Sequence, residues 1–402
     1  MRGRVYVLIV SWIAIAGILV GCGGTTPPTP TPTVYVVVVT RTPEPTKNPN
    51  GAADHGIGPA SAYLTITFYG DFQSDLCAQL ARSLAVIQSR YPDDVRIVWR
   101  HFPQATDDKA NLAAQAAEAA SAQGRFREMH DQLFLHQPEW KALPIDQFRK
   151  RLDDYARASG VADLASFDRA LDGGAYASLI TTATEEALAS GIAGVPALLF
   201  NNTPYDGRME EFALDGQTRL RLLEKRWYAS QPEFTINQGH RYTATLTTAK
   251  GDIVVELYPR SAPAAVNNFV FLARAGWYNG TTFDRVLPGQ YAQTGDPSGT
   301  GLGTAGYRIV DEHDNGLKFD REGQVAMVES PGVPNSASAQ FFITYGPLRP
   351  AEDYDGQYTI FGHVLAGMDV LKKLTPRDPS DELHFPDPPP GDKLLKVTIQ
   401  DG

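Results

Sequence analysis

Cysteine is scarce in this sequence, since only Cys22 and Cys77 occur among 402 residues. Two cysteines exclude a disulfide-rich scaffold and a zinc site built from several thiolates. Basic runs are also missing, and 46 acidic residues outnumber 36 basic ones. Because phosphate binding needs clustered Lys and Arg, this composition argues against a nucleic-acid partner. The eight histidines show no metal-ligand spacing, so the sequence predicts no metal and no cofactor.

Long apolar runs are few, and the one near the N-terminus, Val5 to Val20, is too short to be a typical spanning helix. It follows two arginines and ends in Leu19-Val20-Gly21-Cys22, which resembles the bacterial lipobox. The resemblance implies that residues 1–21 are a signal peptide, that the chain is cleaved before Cys22, and that this cysteine carries the lipid. Cys77 would then stand alone, without a disulfide partner. An uncleaved membrane anchor is the alternative, and both interpretations put the bulk of the protein outside the cytoplasm.

Threonine and proline dominate the stretch from Thr25 to Pro49. Such a composition cannot bury a core and favours extended, polyproline-like conformations. The run Val34–Val39 is long enough for a short strand but not for a domain. We therefore expect residues 22–60 to be a tether that holds the folded part away from the membrane.

The pattern of residues 61–230 predicts an α/β domain. Tyr63–Tyr69 and Val95–Arg100 are typical of strands, and a third strand follows Pro196. Helical patterns fill four stretches, namely from Asp75 to about Arg90, Lys109–Gln137, Ile145–Leu188 and Met209–Trp227. This order, with Asp71-Phe72-Gln73 before the first helix and Val195-Pro196 before the last strand, resembles the DsbA-like branch of the thioredoxin fold, which carries a helical insertion.

Ser74-Asp75-Leu76-Cys77 stands where that family has its Cys-x-x-Cys pair. Thiol–disulfide exchange needs a low-pKa thiolate at the start of the helix, and a serine hydroxyl cannot replace it. Ser74 is instead suited to cap the helix, and Cys77 to be a small buried side chain. The resemblance implies that Pro196 is a cis proline facing this degenerate redox site. Redox work by Cys77 alone is the remaining alternative.

After a connector at residues 231–239, residues 240–402 predict a second domain. Alternating residues around Ala249-Lys250-Gly251 indicate a hairpin, and two helical stretches are separated by many short strands with frequent turns. The helices are expected at Ser261–Ala275 and Gly367–Leu374, and the last strand at Lys393–Gln400. This pattern is typical of an all-β closed barrel with two capping helices.

Three blocks in this domain resemble the active-site blocks of the cyclophilin family of peptidyl-prolyl cis-trans isomerases. They are Phe283-Asp284-Arg285-Val286-Leu287-Pro288-Gly289-Gln290-Tyr291-Ala292-Gln293-Thr294-Gly295, Gln340-Phe341-Phe342-Ile343-Thr344 and Asp355-Gly356-Gln357-Tyr358-Thr359-Ile360-Phe361-Gly362. The resemblance implies that Arg285 is the catalytic cation, which hydrogen-bonds the proline nitrogen as the amide twists. It also implies a set of substrate-binding residues: Gln293, Phe342, Met327, Gln340, Tyr291, Gln290, Tyr354 and Tyr358.

The first block departs from the family at the proline pocket. Gln290 replaces a phenylalanine, and Tyr291 replaces a smaller apolar residue. Asp353-Tyr354 stands where an aromatic-leucine pair is common, and Val328-Glu329 stands where Ala-Asn is usual. Loss of one aromatic wall removes about 1–3 kcal/mol of ring burial. We therefore expect weakened or shifted specificity.

The sequence as a whole predicts a lipid-anchored, extracytoplasmic prolyl isomerase that assists the folding of exported proteins. Its partners would be proline-containing, partly unfolded polypeptides, and the thioredoxin-like domain would be a redox-inactive peptide-binding accessory. A non-catalytic peptide-binding chaperone or scaffold with a degenerate pocket is the alternative. The client proteins and the oligomeric state do not follow from the sequence.

Overall fold

The computed structural model describes residues 55–350, 353–381, 385 and 388–402. The predicted signal peptide, Cys22 and all but the last residues of the tether lie outside this range. Within the described residues, none of the helices has the length and apolar character needed to cross a bilayer.

The first domain is built on a mixed five-stranded sheet. Strands β2 and β3 are parallel, whereas every other pair is antiparallel. Along β2 the side chains alternate, so that Leu64, Ile66 and Phe68 are buried while the residues between them are half-buried. The strands are β1 (Gly56–Ile57), β2 (Leu64–Gly70), β3 (Val95–His101), β4 (Ala197–Phe200) and β5 (Thr203–Tyr205), in the spatial order β1-β3-β2-β4-β5.

Eight helices of the described residues accompany this sheet. The helical stretch predicted at 109–137 is divided into two helices, with a third beginning at its last residue, and the stretch at 145–188 is divided into three. Gly124 and Gly160 have φ angles of 70° and 77°, and a left-handed residue of this kind ends a helix. The helices are α1 (Asp75–Arg90), α2 (Ala110–Ser121), α3 (Phe126–Leu135), α4 (Gln137–Lys141), α5 (Ile145–Ala158), α6 (Leu164–Asp172), α7 (Ala177–Ala189) and α8 (Glu211–Leu223).

The second domain is a curled antiparallel sheet of nine strands with two helices. Its strands are β6 (Tyr242–Thr248), β7 (Gly251–Leu257), β8 (Thr281–Thr282), β9 (Arg285–Leu287), β10 (Tyr291–Thr294), β11 (Gln324–Met327), β12 (Phe341–Thr344), β13 (Ile360–Ala366) and β14 (Lys393–Asp401). The helices are α9 (Pro263–Arg274) and α10 (Met368–Leu371). Phe269 of α9 packs against Phe341 and Phe361, which places the core between this helix and the sheet.

The spatial order of this sheet is β8-β14-β6-β7-β13-β11-β12-β10-β9. The two edge strands, β8 and β9, are separated by only two residues in the sequence. Within the described part of the chain, however, no strand pairing joins them. The closed barrel expected from the sequence is therefore not confirmed, and the sheet is a curled, open one.

The two domains meet where α8 lies against the loop that follows β10. The Arg219 guanidinium donates to the carbonyl of Ser298, and the backbone N–H of Tyr228 donates to the carbonyl of Ala305 at 2.9 Å. Leu223, the last residue of α8, is buried in the core of the second domain. The first domain therefore supports the loop next to the strand that carries Gln293.

Candidate active site

One row of side chains runs across four neighbouring strands of the second domain. Arg285 on β9 is the cross-strand partner of Gln293 on β10, which is itself opposite Phe342 on β12. Phe342 is in turn opposite Ala326 on β11. Because cross-strand partners in an antiparallel sheet project from the same face, these four side chains share one surface.

Two side chains hold Arg285. Its Nε donates to Asp378 Oδ1 at 3.1 Å, and its Nη2 donates to Ser380 Oγ at 2.7 Å. The Tyr291 side chain is near enough to interact electrostatically with the guanidinium. The Arg285 and Asp378 side chains are each only 13% exposed. The guanidinium is therefore fixed in orientation at the border of the aromatic cluster that contains Tyr291.

Gln293 lies in a chain of buried polar groups. Its Nε2 donates to Gln340 Oε1 at 2.9 Å and to Asp284 Oδ2 at 3.1 Å. Gln340 Nε2 donates in turn to the carbonyls of Gly301 and Gly303. Burial, followed by the Asp296 charge, raises the pKa of Asp284 to about 8. Asp284 is therefore a neutral acid at pH 7, and the network contains no unpaired buried charge at this position.

An aromatic cluster adjoins Arg285 and Gln293. Phe342 lies 5.2 Å from Tyr291, 5.5 Å from Tyr358 and 5.7 Å from Phe319 between ring centroids. Tyr354 packs on the outside of the same cluster, 6.1 Å from Tyr358. The buried members of the cluster are Tyr291, Phe319, Ala326, Phe342, Leu348 and Ile360.

Met327 does not belong to this cluster. It is fully buried on the opposite face of β11, in the core of the domain and opposite Phe341. Ala326 takes the place next to Phe342, because successive residues of a strand project from opposite faces. The structure thus corrects the placement of Met327 on the wall of the pocket.

Gln290 lies in the turn between β9 and β10 and is half-buried. Its backbone N–H donates to the carbonyl of Leu287, and its own carbonyl accepts from the N–H of Tyr345 at 2.8 Å. The side chain of its neighbour Tyr291 packs in the aromatic cluster instead.

In the first domain, Ser74 is the N-cap of α1, and its Oγ accepts from the N–H of Cys77 at 3.3 Å. Cys77 is fully buried, and burial raises the pKa of its thiol to about 11. The Val195–Pro196 bond is cis. Because Tyr69 pairs with Ala197, Pro196 lies at the end of the sheet where the chain leaves β2 and continues to α1.

Two groups of side chains in the described residues offer ligands of the kind that metal ions bind. The first is His55, His101 and Glu118 in the first domain. Trp99 Nε1, which can only donate, gives its hydrogen bond to His101 Nδ1 at 3.1 Å. The proton of a neutral His101 is therefore on Nε2, where it points to Glu118 at 2.9 Å and blocks metal binding. The second group is Asp311, His313 and Glu329.

Several site residues carried no sequence signal. Asp378 is 93 residues from Arg285, and nothing in its local sequence indicates the pairing. Phe319 and Leu348 are ordinary apolar residues of loops, and only the folded sheet brings them to Phe342. Ala326 is predictable from strand alternation, because it directly precedes Met327 and therefore projects from the opposite face of the strand.

Comparison with known proteins gives two family matches. The model described as cyclophilin type peptidyl-prolyl cis-trans isomerase/CLD matches residues 243–398, and one described as thioredoxin matches residues 50–217. Peptidyl-prolyl cis-trans isomerase-like 1 of Gibberella zeae is 41% identical over 132 residues, which cover 32% of this chain and 78% of that protein. The human protein of the same name is 42% identical over 132 residues, covering 32% and 76%.

Among solved structures, a cyclophilin type peptidyl-prolyl cis-trans isomerase of Cryptosporidium parvum is 31% identical. The match covers 40% of this chain and 99% of that one, with a TM-score of 0.36.

Proposed function

Because this chain belongs to the cyclophilin-type peptidyl-prolyl cis-trans isomerases, we propose that it isomerises X-Pro bonds of exported polypeptides at a bacterial membrane surface. The second domain supplies the isomerase. Cys22 carries the lipid that anchors the chain, and the first domain is a redox-inactive accessory that binds peptide.

The reaction is slow without a catalyst because amide resonance imposes a barrier of about 18–20 kcal/mol. An isomerase lowers this barrier by binding the twisted amide more tightly than either planar isomer. On twisting, the proline nitrogen becomes pyramidal and its lone pair becomes a hydrogen-bond acceptor. In our proposal an N–H of Arg285 donates to that lone pair.

The observation that carries this proposal is the fixed position of Arg285. Asp378 and Ser380 hold two of its nitrogens, so little rotamer entropy is left to lose when substrate binds. Its low exposure also limits competition from water for the remaining N–H groups. A charge-assisted hydrogen bond made only in the transition state contributes about 1.5–3 kcal/mol, or roughly 10- to 100-fold in rate.

In this proposal Gln340 and Asp284 accept from the two amide N–H groups of Gln293, and Gln293 Oε1 accepts from a substrate N–H on the carbonyl side of the X-Pro bond. The proline ring packs against Phe342, with Ala326, Tyr291 and Tyr358 around it. Tyrosines at positions 291 and 354 narrow the pocket relative to the family pattern. We therefore expect a lower apparent affinity for proline peptides than a typical cyclophilin has.

The test compares wild type with Arg285→Ala in a protease-coupled assay on a tetrapeptide that contains one X-Pro bond. We expect kcat/KM to fall roughly 10- to 100-fold. Arg274→Ala is the matched control, because Arg274 is an exposed arginine of α9 paired with Asp401, and its loss should leave the rate unchanged. Equal rates for wild type and Arg285→Ala would contradict the proposed role of Arg285.

One observation favours a second candidate, a peptide-binding chaperone without turnover. The side chains of the aromatic cluster pack on one another, and Tyr291 and Phe342 are only 6% and 4% exposed. A substrate proline enters only if one of these rings moves. Suppression of the aggregation of an unfolded client by both wild type and Arg285→Ala, together with no isomerase activity of wild type, would select this candidate.

The accessory role of the first domain is supported by Ser74 and Cys77. A buried thiol with a pKa of about 11 is not a thiolate at neutral pH, and Ser74 provides no second sulfur. A mixed disulfide between Cys77 and a client would contradict the redox-inactive assignment.

The membrane anchor is proposed from the lipobox-like sequence that ends at Cys22. Cell fractionation of a Cys22→Ala variant tests it. Loss of the protein from the membrane fraction would support the lipid anchor, and unchanged membrane association would contradict it.

A further inference from the structure

Asp311, His313 and Glu329 meet in the second domain, and the proposed isomerase mechanism uses none of them. One ligand atom from each residue lies within 4.8 Å of the other two. His313 Nε2 is 2.6 Å from Glu329 Oε2 and 4.0 Å from Asp311 Oδ1. Two carboxylate oxygens therefore flank a single imidazole nitrogen.

Backbone groups fix the orientation of both carboxylates. Asp311 Oδ2 accepts from the N–H of Asn335 at 2.7 Å, and Glu329 Oε1 accepts from the N–H of Thr359 at 2.9 Å. The second oxygen of each carboxylate is thereby turned toward His313. In protein metal sites the side chains that bind the metal are commonly held in orientation by hydrogen bonds from surrounding groups.

Asp311 Oδ1 is buried and accepts no hydrogen bond from the residues that the structure describes. A buried carboxylate oxygen without a partner is costly, because it has lost water and gained nothing in return. The exposed fractions of the Asp311, His313 and Glu329 side chains are 18%, 22% and 4%. A divalent cation between the two carboxyl groups would supply the partner that Asp311 Oδ1 lacks.

We propose that Asp311, His313 and Glu329 bind one divalent transition-metal ion. An imidazole nitrogen with two carboxylate oxygens suits Zn²⁺, which takes three protein ligands and keeps a fourth position for water. With metal–ligand distances of about 2.1 Å, the ligand atoms of a tetrahedral site lie about 3.4 Å apart. The 2.6 Å contact would open and the 4.0 Å contact would close, each by less than about 1 Å.

The contrast with His55, His101 and Glu118 shows why only one of the two groups is proposed. In that group the Trp99 indole fixes a proton on the nitrogen that would have to bind the metal. In the Asp311 group metal binding would replace the His313–Glu329 hydrogen bond, and it would also give a partner to Asp311 Oδ1, which has none among the described residues.

The position of the site suggests what the ion would stabilise. Glu329 follows β11, and Thr359, which it fixes, directly precedes β13 and follows Tyr358 of the aromatic cluster. The N–H of Glu312 donates to Thr359 Oγ1 at 3.0 Å, which joins the turn at His313 to the same strand. The ion would thus tie three chain segments together beside the substrate groove.

Isothermal titration calorimetry of ZnCl₂ into the metal-free, detergent-solubilised full chain at pH 7 tests the proposal. We expect one Zn²⁺ per wild-type chain and at least a tenfold weaker interaction for Asp311→Asn and for His313→Asn. His55→Asn is the matched control and should bind Zn²⁺ as wild type does. Because both Asn substitutions preserve hydrogen-bonding capacity, circular dichroism should show the wild-type fold.

A second measurement is the effect of Zn²⁺ on the melting temperature. Binding to the folded state raises the melting temperature of wild type and of His55→Asn, and leaves that of Asp311→Asn and His313→Asn unchanged. Equal Zn²⁺ binding by wild type and His313→Asn, or loss of binding in His55→Asn, would overturn the proposal. Neither measurement reads isomerase activity, so a negative result here leaves the proposed function standing.

Discussion

At the scale of single residues, Asp284 is a buried acid that supports Gln293. Burial raises its pKa to about 8, and the charge of Asp296 contributes in the same direction. In the unfolded chain the pKa of an aspartate is about 3.9. Between these two values the folded state binds a proton that the unfolded state does not. The free energy of unfolding therefore falls as the pH rises from about 4 to about 8.

Asp284→Asn removes this proton uptake and preserves the hydrogen bond from Gln293. We expect the variant to match wild type at pH 4 and to be more stable by roughly 5 kcal/mol at pH 8, because the two pKa values differ by about four units of about 1.36 kcal/mol each. Urea unfolding at pH 4, 6 and 8 measures the difference. A stability difference that does not change with pH would show that Asp284 is ionised in the folded protein.

Sequence motifs predict some residues of the candidate site and miss others. The resemblance to the cyclophilin blocks predicts that Arg285 and Gln293, eight residues apart around a tight turn, belong to one site. Resemblance to the family predicts Met327 in the proline pocket, but in the structure Ala326 is the residue opposite Phe342. Asp378 could not be predicted, because its approach to Arg285 depends on how the segment after α10 returns to β9.

At the scale of elements, α9 is capped by a residue far away in the sequence. Ala262, at its N-cap, makes no side-chain capping bond. The Glu312 carboxylate instead accepts from the backbone N–H groups of Ala264 and Ala265, both at 3.0 Å. A negative charge at a helix N-terminus satisfies free donors and interacts favourably with the helix dipole.

Glu312→Ala should therefore lower the free energy of unfolding by about 1–3 kcal/mol. Glu322→Ala is the control, since Glu322 makes only an exposed ion pair with Lys372, and its loss should cost less than about 1 kcal/mol. Chemical denaturation at neutral pH gives both values. Equal effects of the two substitutions would mean that Glu312 contributes no more than a surface charge.

At the scale of the whole molecule, the contact between α8 and the loop after β10 joins the two domains. Leu223 is 4% exposed and lies within the core of the second domain. Gly306, with a φ of 91°, approaches so closely that a Cβ there would fall 2.6 Å from Trp227 Cβ. Arg226 also lies over the ring of Trp277, 5.1 Å from its centroid. The contact is therefore packed like a domain interior.

We expect the full chain to unfold in a single calorimetric transition for this reason. Leu223→Asp buries a charge at the contact and should split the transition into two, one for each domain. Leu188→Asp is the control, because Leu188 is 54% exposed, and it should leave the single transition intact. Two transitions in wild type would show that the domains are energetically independent.

Local sequence patterns are enough to predict the two-domain order, most strands and helices and the Ser74 cap, and the cyclophilin-like block predicts the Arg285–Gln293 pair. Each of these depends on residues within a few positions of one another, where strand alternation, helix capping and turns act. The tertiary structure alone decided the partners of Arg285, the cap of α9, the meeting of Asp311 and His313 with Glu329, and the contact between the domains. These groups come from distant parts of the chain, and their proximity depends on how the whole sheet curls and packs.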